Sequence, residues 1–244
     1  MTSIRWIYLS PHFDDAILSC GGLIWEQNRR GIPVEIWTVC AGDAPPGPLS
    51  PLALRCHKGW GTDGAEETLA LRRQEDRSAY RSVGAQVRHF STPDCIYRRS
   101  PAGNPLYPED IFAPLSPPES GLDEKIAAEL DGELEADDML ICPLAIGGHP
   151  DHVLTRRAAE RLARPLRYYA DIPYLLDHPE AFEPATAGMK SELFPVSKRG
   201  LTAWKTGIAA YASQMAVLFD DTEKMRAAIS TYWSSQQGIL LWRI

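Results

Sequence analysis

Ile4-Arg5-Trp6-Ile7-Tyr8-Leu9-Ser10-Pro11-His12-Phe13-Asp14-Asp15 decides the architecture of this chain. Residues 4–10 are apolar enough for an interior strand buried on both faces. From about residue 15 to 30 the apolar positions Ile17, Leu18, Leu23 and Ile24 recur with helical spacing, and Gly31 stops the helix. Val34-Glu35-Ile36-Trp37-Thr38-Val39-Cys40 reads as a second strand, which completes a strand, helix, strand unit with an expected right-handed crossover. The acidic and histidine cluster lies at the first strand-to-helix turn.

The same alternation continues outward. Helices are expected over residues 66–83, 122–135 and 150–163, strands over 87–91, 139–144 and 166–171, and further helices over 201–215 and 223–232. Pro150 suits the first turn of its helix, where its missing N–H costs nothing. The pattern predicts an α/β fold: a Rossmann-like three-layer sandwich with a mostly parallel sheet, residues 1–244 forming one domain. Two proline-rich stretches, at about 42–65 and 93–121, read as long irregular loops, and loops of that length in a compact domain are usually functional.

At 244 residues, 44% hydrophobic and 23% charged, the chain can bury a sizeable core. A net charge of -7 argues against a nucleic-acid surface and favours a small polar substrate. No apolar run reaches the length of a membrane span, and the N-terminus enters a strand without a signal-peptide layout, so a cytoplasmic protein is expected. Cys20, Cys40, Cys56, Cys95 and Cys142 lack C-x-x-C spacing and read as small buried hydrophobes, with Cys56 beside His57 the one to watch. A homo-oligomer is compatible with the sequence, which does not fix the oligomeric state.

A second cluster, His149-Pro150-Asp151-His152, also follows a buried strand. In open α/β sheets ligands bind beyond the carboxyl ends of the strands, so the fold can bring both clusters to one crevice. His12, Asp15 and His152 make a three-ligand set of the kind that holds catalytic Zn2+, with a fourth position open to water; Fe2+ is the alternative ion. Asp14, next to a ligand, suits a general base, and His149, polarised by a neighbour such as Asp151, suits a donor to a developing oxyanion. Each cluster alone also reads as a polar helix start, Asp14-Asp15 as an N-cap pair. Capping requires one acceptor per helix and leaves the three histidines unexplained, so the joint pattern favours a metal site.

Pro11-His12-Phe13-Asp14-Asp15-Ala16 and His149-Pro150-Asp151-His152 resemble the two signature motifs of the PIG-L or LmbE-like zinc-dependent N-deacetylases. The resemblance implies His12, Asp15 and His152 as zinc ligands, Asp14 as base and His149 as oxyanion stabiliser. Arg72-Arg73-Gln74-Glu75 is similar to the family's substrate-contacting Arg-x-x-Glu helix, and Asp94 to its sugar-contacting aspartate; Lys205 and Tyr211-Ala212-Ser213-Gln214 resemble its C-terminal pattern. Phe13 and Ala16 depart from the usual Pro and Glu, and Gly147 stands where some members carry tyrosine. The implied activity is removal of an N-acetyl or other N-acyl group from an amino sugar such as an N-acetylglucosaminyl conjugate. The same chemistry on a thiol conjugate or an acylated antibiotic intermediate is the alternative. A non-catalytic sugar- or nucleotide-binding protein is the rival of another class, and Ser10-Pro11-His12-Phe13-Asp14-Asp15 lacks the G-x-G-x-x-G cradle that dinucleotide binding requires.

Overall fold

The computed structural model describes residues 4–244; residues 1–3, part of the stretch read as lacking a leader, lie outside the described residues. The first half alternates β1 (Trp6–Ser10), α1 (Asp15–Arg29), β2 (Val34–Thr38), α2 (Pro51–Trp60), α3 (Ala65–Val83) and β3 (Gln86–His89). It continues with α4 (Leu122–Asp131), β4 (Met139–Pro143), α5 (Pro150–Arg161) and β5 (Leu166–Tyr169). The last third holds the short helices α6 (Tyr174–Asp177) and α7 (Phe182–Thr186), then β6 (Lys190–Pro195), α8 (Lys198–Ala209), α9 (Ala212–Leu218), α10 (Thr222–Gln236) and β7 (Gly238–Arg243).

Among the described residues the strands form one seven-stranded sheet in the order β3-β2-β1-β4-β5-β7-β6. β3 to β5 run parallel, and β7 pairs antiparallel with both β5 and β6. β1 shows why the central strands carry almost no polar residues: Tyr8 packs into the core under α1, α3 and α8, while Ile7 and Leu9 pack into the core under α4 and α5. Both faces are covered, giving the three layers expected.

α1 and α8 make the closest helix contact on the first face. Trp204 lies over Gly21 and Gly22, and its indole N–H donates to the carbonyls of Ile17 and Leu18 at 2.8 and 3.0 Å. The chain proceeds outward from β1 to β2 and β3, then returns to β4 on the other side of β1. The crevice between the carboxyl ends of β1 and β4 is therefore the topological switch point, where open α/β sheets bind ligands.

The loop expected over 42–65 is corrected by α2. Pro45, Pro46 and Pro48 precede that helix and Pro51 sits in its first turn, where proline is tolerated; the Ser50 hydroxyl caps it by accepting from Ala53 N at 3.0 Å. Gly61, at φ +71°, ends it. The stretch over 93–121 is irregular as expected, apart from short 3-10 turns at Cys95–Tyr97 and Pro117–Glu119. The helix expected over 201–215 is divided between α8 and α9, because Tyr211 leaves the helical register to donate its hydroxyl to Phe13 O and Asp76 Oδ1, both at 2.8 Å. β6 and β7 were not foreseen: β6 is a largely exposed edge strand with little apolar alternation.

Candidate active site

The turn from β1 into α1 is held by side chains other than Asp14. Ser10 Oγ donates to His12 O at 2.5 Å and accepts from Ala16 N at 3.0 Å, and Asp15 Oδ2 accepts from His12 N at 2.7 Å. Asp14 stands at the N-cap position but makes no capping hydrogen bond. Its carboxylate turns instead into the crevice, with Oδ1 3.3 Å from Arg72 Nη2. The capping explanation of the acidic pair fails for Asp14 on that geometry. Phe13, in place of proline, is buried in the core, and its carbonyl takes the Tyr211 hydroxyl.

The turn from β4 into α5 fixes the tautomer of His149. This residue caps α5 with its ring: Nδ1 accepts from Asp151 N at 3.2 Å, so the hydrogen of the neutral imidazole sits on Nε2. Burial, followed by the neighbouring His12, holds His149 well below the ordinary histidine pKa. It is thus a neutral Nε2–H donor. Asp151 polarises it through the backbone amide, whereas the Asp151 carboxylate goes elsewhere: Oδ2 takes His12 Nε2 and Cys95 N, each at 2.9 Å, and Oδ1 pairs with Arg98.

His152, fully buried, places Nδ1 2.6 Å from Asp171 Oδ1. Asp171, just beyond β5, also accepts from Ile146 N at 3.0 Å and so aims the ring at the crevice. His152 Nε2 lies 3.4 Å from Asp15 Oδ1, and His12 Nδ1 lies 3.2 Å from Asp15 Oδ2. Burial would lower the His152 pKa, but Asp15 and Asp171 outweigh it and hold the ring near 9. For Asp14 burial dominates and raises the pKa, Arg72 opposing and Asp15 adding to it.

The substrate-side expectations divide. Arg72 and Asp94 both enter the crevice, with Arg72 Nη1 3.6 Å from Asp94 Oδ2; Asp94 also caps the following 3-10 turn by accepting from Ile96 N at 3.2 Å. Arg73 faces away, binding Ala41 O and Asp43. Lys205 binds the Ser230 hydroxyl, and Ser213 binds Glu75 through both its amide and its hydroxyl. Gln214 alone of that C-terminal pattern lines the cavity into which the crevice opens. Asp171, Arg98 and Tyr174 were missed. A carboxylate at the carboxyl end of a buried strand was the available signal for Asp171; Arg98 and Tyr174 sit in irregular segments where no periodicity marks them.

The crevice opens into a cavity of about 310 Å³ lined by His12, Asp14, Asp15, Arg72, Asp94, His149 and Tyr174, with apolar walls beyond them. One ring nitrogen from each of His12, His149 and His152 falls within 4.8 Å of the others. His152 Nε2 is buried without a hydrogen-bond partner among the described residues, although its ring is braced by a carboxylate on the far side. A carboxylate-braced histidine with an orphaned inner nitrogen, next to Asp15 and His12, offers the nitrogen and oxygen donors that a divalent metal ion takes. The residues present fit such an ion.

A doubly covered, mostly parallel α/β sheet with a cluster of histidines and carboxylates at its switch point defines the class of the chain: a Rossmann-like α/β protein with its site at the carboxyl ends of the strands. The chain belongs to the PIG-L family, GlcNAc-PI de-N-acetylase, whose model matches residues 7–163. It is similar to a 2'-N-acetylparomamine deacetylase of Niallia circulans, 26% identical over 262 residues that cover 98% of this chain and 94% of the relative. Among solved structures it is similar to a teicoplanin deacetylase in a zinc-inhibited form, with a TM-score of 0.83, 27% identity and coverage of 98% of this chain and 97% of that one. It is also similar to a deacetylase of the A40926 pseudoaglycone, with a TM-score of 0.77, 29% identity and coverage of 98% and 96%. These relatives are deacetylases. Among the described residues no helix is long and apolar enough to cross a membrane.

Proposed function

We propose that the protein is a zinc-dependent N-deacetylase that hydrolyses the acetamide of an amino-sugar conjugate in the cytoplasm. The observation that carries this reading is the orphaned Nε2 of buried His152, braced by Asp171 and facing Asp15. His12, Asp15 and His152 would hold the ion. When bound there, zinc lowers the pKa of a water to about 7 and polarises a carbonyl.

The chain's own groups supply the remaining steps. Asp14 is buried, makes no capping bond and has a raised pKa, which suits it to accept the proton of the attacking water and return it to the departing amine. His149, kept neutral with its hydrogen on Nε2, donates to the oxygen that gains charge as the amide carbon becomes tetrahedral. Asp151 orients His12 through Nε2 and is itself held by Arg98 and Cys95 N, so its part is positioning. Arg72 and Asp94 line the same cavity as His149 and would receive sugar hydroxyls.

The relatives that act on 2'-N-acetylparomamine, teicoplanin and the pseudoaglycone of the antimicrobial A40926 support an antibiotic-type amino-sugar conjugate as the substrate class. Acetate release from a panel of N-acetylglucosaminides tests the reading. The zinc-loaded protein should release acetate, and Asp14→Asn should lower kcat by about 10²- to 10⁴-fold with metal content unchanged. Full activity in Asp14→Asn would remove Asp14 as the base.

A further inference from the structure

We propose that the groove between α2 and α9 is a subsite for an apolar substituent carried on the glycosidic side of the amino sugar. The inference rests on the deacetylase reading above. The catalytic cavity extends from the charged cluster to a wall where Leu52, Cys56 and Trp60 of α2 face Val217 and Leu218 of α9. The two helices meet at Gly59, where an added Cβ would lie 3.3 Å from Val217 Cγ2. A side chain there would press into the groove; glycine leaves it open.

Three features make an apolar group the fitting occupant. Val217 keeps 55% of its surface exposed at the mouth, so a covering group removes aliphatic surface from water. A bare sugar ring needs donors and acceptors for its hydroxyls, whereas the groove walls offer a weakly bonding thiol and a half-buried indole, and the Gln214 amide at the inner end of α9 already donates to Ser213 Oγ at 2.8 Å. Arg55, the charged residue of α2 that lines the cavity, is drawn off to the main-chain carbonyl of Glu109 at 2.5 Å and to its carboxylate at 3.4 Å.

The position of the groove selects the glycosidic side. Trp60 lies 5.0 Å from the Arg72 guanidinium, which itself reaches Asp14 and Asp94, so the groove begins beyond the sugar anchors. With its carbonyl held at His149, the acyl group is assigned to the side of Tyr174, whose ring centroid is 5.3 Å from that of His152. On this assignment an alkyl or aryl glycoside reaches the groove and a lengthened acyl chain points toward Tyr174 instead.

The test uses the full chain reconstituted with zinc and three substrates: methyl and hexyl N-acetyl-β-glucosaminide, and methyl N-hexanoyl-β-glucosaminide. The hexyl glycoside should show a kcat/KM roughly ten- to a hundredfold above the methyl glycoside, mainly through KM. Val217→Asp should collapse that ratio toward one, and Val217→Leu should retain it. Equal kcat/KM for the two glycosides, a gain that survives Val217→Asp, or a gain obtained only by lengthening the acyl chain would overturn the proposal. If neither glycoside is hydrolysed, the deacetylase reading fails. The groove is then decided by tryptophan-fluorescence titration with the same two glycosides: a hexyl Kd about tenfold below the methyl Kd upholds it, and equal values overturn it.

Discussion

At the residue scale, the site depends on side chains that hold other side chains. Asp171 touches no reacting atom, yet its 2.6 Å contact with His152 Nδ1 decides where the opposite nitrogen points. Replacing a carboxylate that braces a ligand histidine typically costs 10- to 100-fold in metal affinity. Asp171→Asn should therefore weaken zinc binding by about that factor in a competition titration with a chromophoric chelator; unchanged affinity would mean that His152 is oriented by packing alone. Cys56 gives a second expectation. Burial first, then Asp94, pushes its thiol up to about 11. A thiol reacts through its thiolate, so at neutral pH Cys56 should alkylate roughly a hundredfold more slowly than an unperturbed cysteine, as read by mass spectrometry after iodoacetamide treatment. Rapid labelling would show a thiol far more acidic than its surroundings imply. Cys56, singled out in the sequence for its neighbour His57, is on this basis an apolar wall residue.

At the element scale, the contact of α1 with α8 supports the turn that presents Asp14 and Asp15. A Cβ at Gly21 would lie 2.7 Å from Trp204 Cδ1, and the indole cannot swing aside because it is fully buried and tied to two carbonyls of α1. Overpacking costs about 1–3 kcal/mol, and alanine regains about 1 kcal/mol of helix propensity, so Gly21→Ala should lower stability by roughly 1 kcal/mol in urea denaturation. A more stable variant would show that α8 can shift away. The elements near the motifs were readable because buried parallel strands announce themselves as unbroken apolar runs and their helices by period. α2 was hidden because its start is signalled by Ser50 and Pro51 within a cluster of prolines, where a capping signal and a breaker signal look alike. Asp14 illustrates the opposite case: the residue type suited both a cap and a base, and only the Ser10 and Asp15 hydrogen bonds show that the cap is made by others. Arg98 was out of reach, since its bond to Asp151 joins residues 53 apart in sequence through a segment without regular structure.

At the scale of the whole molecule, the sheet order brings four separate stretches to one point. The ends of β1, β4 and β5 supply His12 to Asp15, His149 to His152, and Asp171, and the segment after β3 adds Asp94. Reversal of strand order between β1 and β4 leaves the gap these groups surround, which is why a motif pair separated by more than a hundred residues could be read as one site from the alternation of strands and helices alone. The central claim is that this gap holds a metal ion through His12, Asp15 and His152. The most direct measurement is elemental analysis of the purified, untagged chain after zinc reconstitution, beside His152→Ala. About one zinc per chain in the parent protein and little or none in the variant is the predicted result; no bound zinc in the parent, or an equal amount in the variant, would contradict it.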